Sequence, residues 1–447
     1  GSNIVYGDSV LGDTPLLLKY NNEIRTCRID DLIDSYDIRA DGKEVGNTPY
    51  MVWSDKGFTK IHNVIRHKTT KKIYRILTHT GIVDVTEDHS LLMKNGAEIQ
   101  PSKVELGTEL LHNKFTEYNS KRDVSIEEAK VMGFFFGDGS CGRYGEGSDV
   151  KYVWAMNNAN MEYLKEMQSK APFQTRIYDT INSSGVYKLN AVDDVKKIVT
   201  RYRELFYNKN KEKIVPNCIL NGSKEVMQSF WSGYYMADGD KDVHFERCDC
   251  KGKEGAMGLF ILGERLGNNV SLNTRNDKKT IYRMTCTKGK QRKNPNKIKK
   301  IELLGEFTDY VYDLTTDNHH FHIGPGNMVV HNTDSVMVQF PMNGKTGHDA
   351  IVESFKIGQE AADRISDTFL KPIELEFEKV YCPYLLFSKK RYAGLMYENP
   401  NEYKKIDVKG IQLVRRDNCG LVKEVCKKVL DFIMFQKDTN LAADCAR

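Results

Sequence analysis

Two pairs of carboxylates stand where their spacing could do chemistry. The first pair is split. Ile4-Val5-Tyr6-Gly7-Asp8 lies near the start, and Thr333-Asp334-Ser335-Val336-Met337-Val338 lies far downstream, just after His331-Asn332. Removing everything from Ser9 to Asn332 joins the ends as Tyr6-Gly7-Asp8-Thr333-Asp334-Ser335, flanked by β-branched and apolar residues. Asp8 and Asp334 would then share a tight turn between apolar strands, where two carboxylates can hold two hard cations for phosphoryl transfer. The second pair is repeated. Val131-Met132-Gly133-Phe134-Phe135-Phe136-Gly137-Asp138-Gly139 is echoed by Trp231-Ser232-Gly233-Tyr234-Tyr235-Met236-Ala237-Asp238-Gly239, with Asp138 and Asp238 at matching places. A repeat at that distance implies two similar subdomains about a pseudo-dyad, not a solenoid.

The elements that must position these groups follow from composition and pattern. At 447 residues the chain has room for roughly three domains of about 150 residues. It is 40% hydrophobic and 28% charged, a globular composition that can bury sizeable cores. No apolar run approaches the roughly 18 residues of a membrane-spanning helix, which excludes an integral membrane protein of that kind. The net charge of +5 is too small to identify a nucleic-acid partner, so local clusters must decide. Ten cysteines include no CxxC pair, and Cys248 and Cys250 form a lone CxC. Free thiols in a reducing, intracellular compartment (cytoplasm or nucleus) are expected, without a structural zinc. The start, Gly1-Ser2-Asn3-Ile4, lacks Met and the basic and apolar regions of a signal peptide, and it reads as the head of a fragment.

The first hundred residues read as β, for example Ile73 to Leu77 and Ile82 to Val85. From Ser125 to Gln291 helical stretches (Glu127 to Phe136, Asn160 to Lys170, Lys224 to Met236) alternate with strands (Lys151 to Met156, Val186 to Leu189, Thr280 to Thr285). Thr287 to Lys300 holds seven basic residues and no acid, a linker composition that could also lie on DNA. β character returns at Ile301 to Val330. Helix is expected from His348, β around Glu374 to Ile411, and helix after Leu421. An order of β, mixed, β, mixed predicts one domain inserted in another.

The rejoined Tyr6-Gly7-Asp8-Thr333-Asp334-Ser335 resembles the YGDTDS hairpin of family B DNA polymerases. Downstream, Lys389-Lys390-Arg391-Tyr392 resembles the family's KKxY element, which implies contact with primer–template DNA. Lys409 to Asp417 resembles the segment leading from palm to thumb. The exonuclease domain, the first catalytic aspartate motif and the finger helix of that family are not in the chain.

Ser9 to Asn332 resembles an intein. Ser9-Val10-Leu11-Gly12-Asp13-Thr14-Pro15 matches the first block, and Thr86-Glu87-Asp88-His89 the TxxH block. Tyr310 to Asp313 with Asn318 to Phe321 match the penultimate block, and Val329-Val330-His331-Asn332 before Thr333 the last. The resemblance implies that Ser9 attacks the Asp8 carbonyl to form an ester, with His89 protonating the leaving nitrogen and Thr86 orienting the peptide. Thr333 then takes over the acyl group. Asn332 cyclises and cuts the Asn332–Thr333 bond, helped by His331 and by His319 or His320. His319 is favoured by the HxF pattern with Phe321. Asp313 would tune or relay protons. No cofactor is implied for splicing.

The repeats resemble the LAGLIDADG signature of homing endonucleases. Gly133 and Gly137 are four apart, as are Gly233 and Ala237, so small residues share a helix face and let two helices approach closely. Each aspartate precedes a glycine that can stop its helix. The resemblance implies that Asp138 and Asp238 share Mg2+ and each serve one scissile phosphate, with Lys213 as a catalytic or water-organising lysine. Strands after each helix would form a saddle on duplex DNA, and Leu259 to Arg275 resembles the block after the second helix. Asp240 and Asp242 could add metal affinity or merely solvate a loop, and the loop reading is favoured.

The expected fold is therefore multidomain. An all-β Hint horseshoe (9–119 and 299–332) is interrupted by an α/β two-repeat endonuclease (120–298). Strand residues 1–8 and an α+β palm/thumb fragment (333–447) flank it. The expected partners are double-stranded DNA, namely an intein-less polymerase allele for the nuclease and primer–template for the spliced host, with Mg2+ in both reactions. No membrane partner is expected, and the chain is expected to be a monomer. The rival reading is a splicing-inactive Hint scaffold serving as a DNA-binding module.

Overall fold

The computed structural model describes residues 4–5, 9–38, 43–89, 91–119, 124–240, 246–275, 277–289, 294–332, 336–368, 375, 377–388, 391–409, 411 and 419–446. Asp8, Asp242, Thr333, Asp334, Lys389, Lys390 and the side chain of Arg391 lie outside this set. The chain divides into two compact units, Gly7–Thr333, and Gly1–Tyr6 with Asp334–Arg447.

In the larger unit, a nine-stranded sheet is built on strand Gly57–Leu77, 21 residues rich in Ile, Val and Thr. It pairs antiparallel with Lys300–Thr316 from Ile61↔Thr316 to Leu77↔Lys300, so segments from opposite ends of this unit's sequence form one ribbon. The two-residue strand Val10–Leu11 lies between Lys300–Thr316 and Ile82–Thr86, in the register Val10↔Tyr312 and Val10↔Val85. A four-stranded sheet joins Glu98–Ile99, Leu91–Leu92, Met328–His331 and His320–Ile323. The β expectation for both ends of this unit agrees with these strands.

Between them lie two related halves. Helix Ile126–Asp138 begins at Ser125, whose hydroxyl accepts from the Glu128 N–H, and helix Lys224–Asp238 begins at Ser223, which caps Val226 in the same way. One of the orphan donors at each helix start is met by a serine, with acids in the first turn. The helices pack backbone to backbone: a Cβ on Gly133 would lie 1.9 Å from the Phe230 carbonyl oxygen, and one on Gly233 2.0 Å from that of Lys130. The first half carries a four-stranded sheet, Gly139–Tyr144, Lys151–Asn158, Tyr187–Ala191 and Thr175–Tyr178. The second carries Glu246–Lys251, Ile281–Thr287 and Asn269–Thr274. Helices Met161–Lys170 and Val195–Phe206 support the first, and helix Lys253–Arg265 the second. The expected elements here are present with small differences at their ends, and helices Val195–Phe206 and Lys253–Arg265 are additional to them.

The helices end at Asp138 and Asp238 with Gly139 and Gly239 as their caps, as expected, but without a left-handed turn: the φ values are −93° and −73°, both with extended ψ. The two glycines are required by space instead, since a Cβ would meet the Phe135 and Tyr235 rings at 2.2 Å.

In the smaller unit, Ile4–Val5 pairs antiparallel with Val336–Met337, Ile4 opposite Met337 and Val5 opposite Val336. Helix Gly347–Ser366, the sheet Val380–Ser388, Arg391–Tyr397 and Lys405–Lys409, and helix Gly420–Asp431 follow the expected order.

Candidate functional site

The β strands of the larger unit bring the ends of the insertion to neighbouring positions. Ser9 is 1% exposed and precedes the short strand Val10–Leu11. Thr86 donates to the Ser9 carbonyl twice, from its N–H at 3.1 Å and from its hydroxyl at 3.3 Å. Thr86 therefore holds the peptide after Ser9, one residue beyond the bond it was expected to orient. The Ser9 hydroxyl has no hydrogen-bond partner among the described residues. His89 is fully buried in the turn after Thr86, its N–H donating to the Thr86 carbonyl at 2.9 Å.

Asn332 is fully buried at the other end. Its N–H donates to the His319 carbonyl at 2.9 Å, and its side-chain amide donates to the Leu314 carbonyl. The amide oxygen is unpartnered among the described residues. His331 stands opposite His320 in the strand pair, with ring centroids 5.6 Å apart against 6.4 Å for His319. His320 Nδ1 lies 3.0 Å from Asp55 Oδ1, a partner that no motif in the sequence marks. His319 sits in the turn at φ 60°. Asp313, 5% exposed, lies between Tyr312, which faces Val10, and Leu314, which holds Asn332. Its carboxylate accepts from the Leu314 N–H at 2.8 Å.

Asp138 and Asp238 end the two packed helices. Asn158 donates to Asp138 at 2.5 Å. Burial raises the Asp138 carboxyl above its usual range, against the pull of Asn158 and Lys213. Asp238 is pushed up to about 6 by burial, then by the charges of Asp138 and Asp249. Two hard carboxylates in such surroundings fit a divalent cation, whose charge would reverse the penalty. Lys213 is drawn down to about 8 by burial. Its ammonium donates to the carbonyls of Phe135 (3.0 Å), Phe136 (3.1 Å) and Gly139 (2.5 Å), capping the first helix beside Asp138. Asp240 pairs with Arg247 at 3.5 Å and is half exposed, as expected of a solvated loop.

In the smaller unit, Tyr392 of the basic Lys389–Tyr392 element turns its hydroxyl to the buried Asp407 at 3.4 Å, which Tyr381 also bonds at 2.6 Å.

A buried strand junction holding a serine at one end and an asparagine at the other is a protein-splicing architecture. The family of intein splicing domains matches residues 18–332, and the chain belongs to it. The DNA polymerase family B matches residues 308–446. The DNA polymerase of Acanthamoeba polyphaga mimivirus is 43% identical over 477 aligned residues, covering 99% of this chain and 27% of that protein. The DNA polymerase delta catalytic subunit of Oryza sativa subsp. japonica is 56% identical over 106 residues, 24% of this chain and 9% of its own length. The chain thus spans 27% of the first of these relatives and 9% of the second. Among solved structures, the homing endonuclease I-DmoI in complex with DNA and Mn covers 36% of this chain and 89% of its own, at 17% identity and a TM-score of 0.29. The mini-intein of an Mvu transcription factor IIB covers 72% and 100%, at 14% identity and a TM-score of 0.28.

Proposed function

We propose that residues 9–332 excise themselves and join Asp8 to Thr333, restoring the host hairpin. One observation carries this reading: strand Lys300–Thr316 touches both junctions, pairing Tyr312 with Val10 and offering the Leu314 carbonyl to Asn332, two residues further on. The two ends of the insertion, far apart in sequence, are thereby held for sequential acyl transfers. The Ser9 hydroxyl adds to the Asp8 carbonyl, the C–N bond breaks, and the nitrogen takes a proton from His89, leaving an ester. Thr333 displaces the Ser9 oxygen. The Asn332 side-chain nitrogen then attacks its own carbonyl and releases Thr333, whose amine recaptures the acyl group from its hydroxyl. His331, backed by His320 and Asp55 or by His319, assists the cyclisation, and Asp313 links the two ends.

The inserted halves are read as a double-strand DNA endonuclease. Asp138 and Asp238 would hold Mg2+, which supplies charge for phosphodiester cleavage, while Lys213 fixes the end of the first helix. The flanking sequence is read as a family B polymerase piece, delta-like, with Asp8 and Asp334 as its metal ligands after joining and Lys389, Lys390, Arg391 and Tyr392 toward DNA. Mass analysis after incubation tests the splicing reading. An excised product spanning 9–332 and a joined product of 1–8 with 333–447 are expected, and an unchanged 51.2 kDa chain refutes it.

A further inference from the structure

The buried charges nearest the Ser9 strand are not all contributed by the β strands. Asp84 lies one residue before Val85, which pairs with Val10, and two before Thr86, which holds the Ser9 carbonyl. Asp13 lies in the turn that follows strand Val10–Leu11. Lys253, the first residue of helix Lys253–Arg265 in the second inserted half, reaches both: its ammonium lies 2.5 Å from Asp13 Oδ1 and 2.8 Å from Asp84 Oδ2. Arg75 grips the same Asp84 carboxylate from the neighbouring strand at 2.7 and 2.8 Å, and donates to the Lys279 carbonyl at 2.8 Å and the Tyr282 hydroxyl at 3.2 Å. The side chains of Lys253 and Asp84 are each 2% exposed, so solvent does not screen the pair.

The strand they brace is weak by itself. Val10–Leu11 is two residues long, with two register pairs to Lys300–Thr316 and one to Ile82–Thr86. A strand so short has little ladder to fix its position. We propose that Lys253 is a positioning residue for the first acyl shift, stapling the turn after the Ser9 strand to the strand that ends in Thr86. This rests on the splicing reading above. The inserted body is then part of the N-terminal splice site and not only a passenger. Burial alone would raise Asp84, but Lys253 and Arg75 outweigh it and hold the carboxyl at about 2, so both oxygens stay available to the staple. At the other junction the Asn332 side-chain amide bonds the Leu314 carbonyl of a β strand instead.

The test uses the full chain. Ester formation is read as hydroxylamine release of the N-terminal segment 1–8 in an Asn332→Ala background, and cleavage at Thr333 in a Ser9→Ala background. Lys253→Met is expected to slow ester formation at least tenfold and to change cleavage at Thr333 by less than twofold, while Lys253→Arg keeps both within threefold. Lys253→Met with Asp13→Asn restores charge balance and leaves the Asp84–Arg75 pair intact. It carries the test if the single variant fails to fold, and it is expected to remain slow at Ser9. Equal slowing at both junctions, or recovery of ester formation in that double variant, overturns the assignment. If the parent chain forms no ester at all, the splicing reading falls and takes the assignment with it.

Discussion

Replacing Gly133 with alanine is the sharpest perturbation of the inserted body. The new methyl would sit 1.9 Å from the Phe230 carbonyl oxygen, 2.7 Å from its carbon and 2.9 Å from the Tyr234 nitrogen. A carbon and a carbonyl oxygen ordinarily stay about 3.3 Å apart, so the helices must separate by roughly 1.4 Å. The obstacle is backbone, so no rotamer change relieves it. Overpacking of this kind costs about 1–3 kcal/mol, and the upper end applies. Alanine returns about 1 kcal/mol of helix propensity over glycine, leaving a net loss of about 2 kcal/mol. At roughly 2–4 °C per kcal/mol for a body of this size, calorimetry should show the melting of the inserted halves fall by about 4–8 °C. Gly137→Ala, whose methyl would meet the Ala237 methyl at 2.8 Å and no backbone atom closer than 3.5 Å, should cost less. Gly133→Ala combined with Gly233→Ala should cost less than the sum, because one separation relieves both contacts. The same separation moves Asp138 away from Asp238, and a displacement of about 1 Å is enough for a loss near 100-fold in DNA cleavage. A melting point within about 1 °C of the parent together with cleavage within threefold would refute this account of the close helix contact.

Three further outcomes are expected. Asn332→Ala should stop cleavage before Thr333 yet leave an ester that hydroxylamine releases; ligated product from that variant would remove Asn332 from its role. Asp138→Ala with Asp238→Ala should abolish DNA cleavage while splicing persists, since Asp138 takes its hydrogen bond from Asn158, away from the splice junctions; loss of splicing in a folded double variant would contradict this. His112 and His322 are both held down to about 4, mainly by burial, so the unfolded chain takes up their protons first and stability falls as the pH drops from about 6.5 toward 4. Each contributes a loss of up to about 3 kcal/mol, so urea midpoints of the parent should fall relative to His112→Gln between pH 7 and pH 5, and parallel midpoints would show the burial argument to be wrong.

The junction chemistry is legible because splicing demands fixed residue types at both cut edges. Ser9, His89, His331 and Asn332 can therefore be proposed for those roles without a fold. The two repeat helices are legible for the same kind of reason: small residues four apart on one face, repeated with an aspartate at the same place in each copy. Helix Lys253–Arg265 is not, because every residue from Lys253 to Gly263 is buried and an all-round buried helix carries no amphipathic period. That conceals Lys253. Helix Val195–Phe206 does carry a signal in Ile198, Val199, Tyr202 and Phe206, at i, i+1, i+4 and i+8, but its many charged residues mask the stripe in a coarse reading. Asp55 and the Leu314 carbonyl are beyond reach because their roles depend on pairing between strands from opposite ends of the larger unit.

The host strands add a consequence for the order of events. Ile4–Val5 and Val336–Met337 are already paired with the insertion in place. Two residue pairs make a marginal ribbon. Closing a flexible loop of some 330 residues around it would cost about (3/2)RT ln n, near 5 kcal/mol, more than so short a ladder returns. The pairing is therefore conditional on a folded insertion, which sets that cost aside before the host strands meet. On this arithmetic the insertion would fold first and the host strands would pair afterwards.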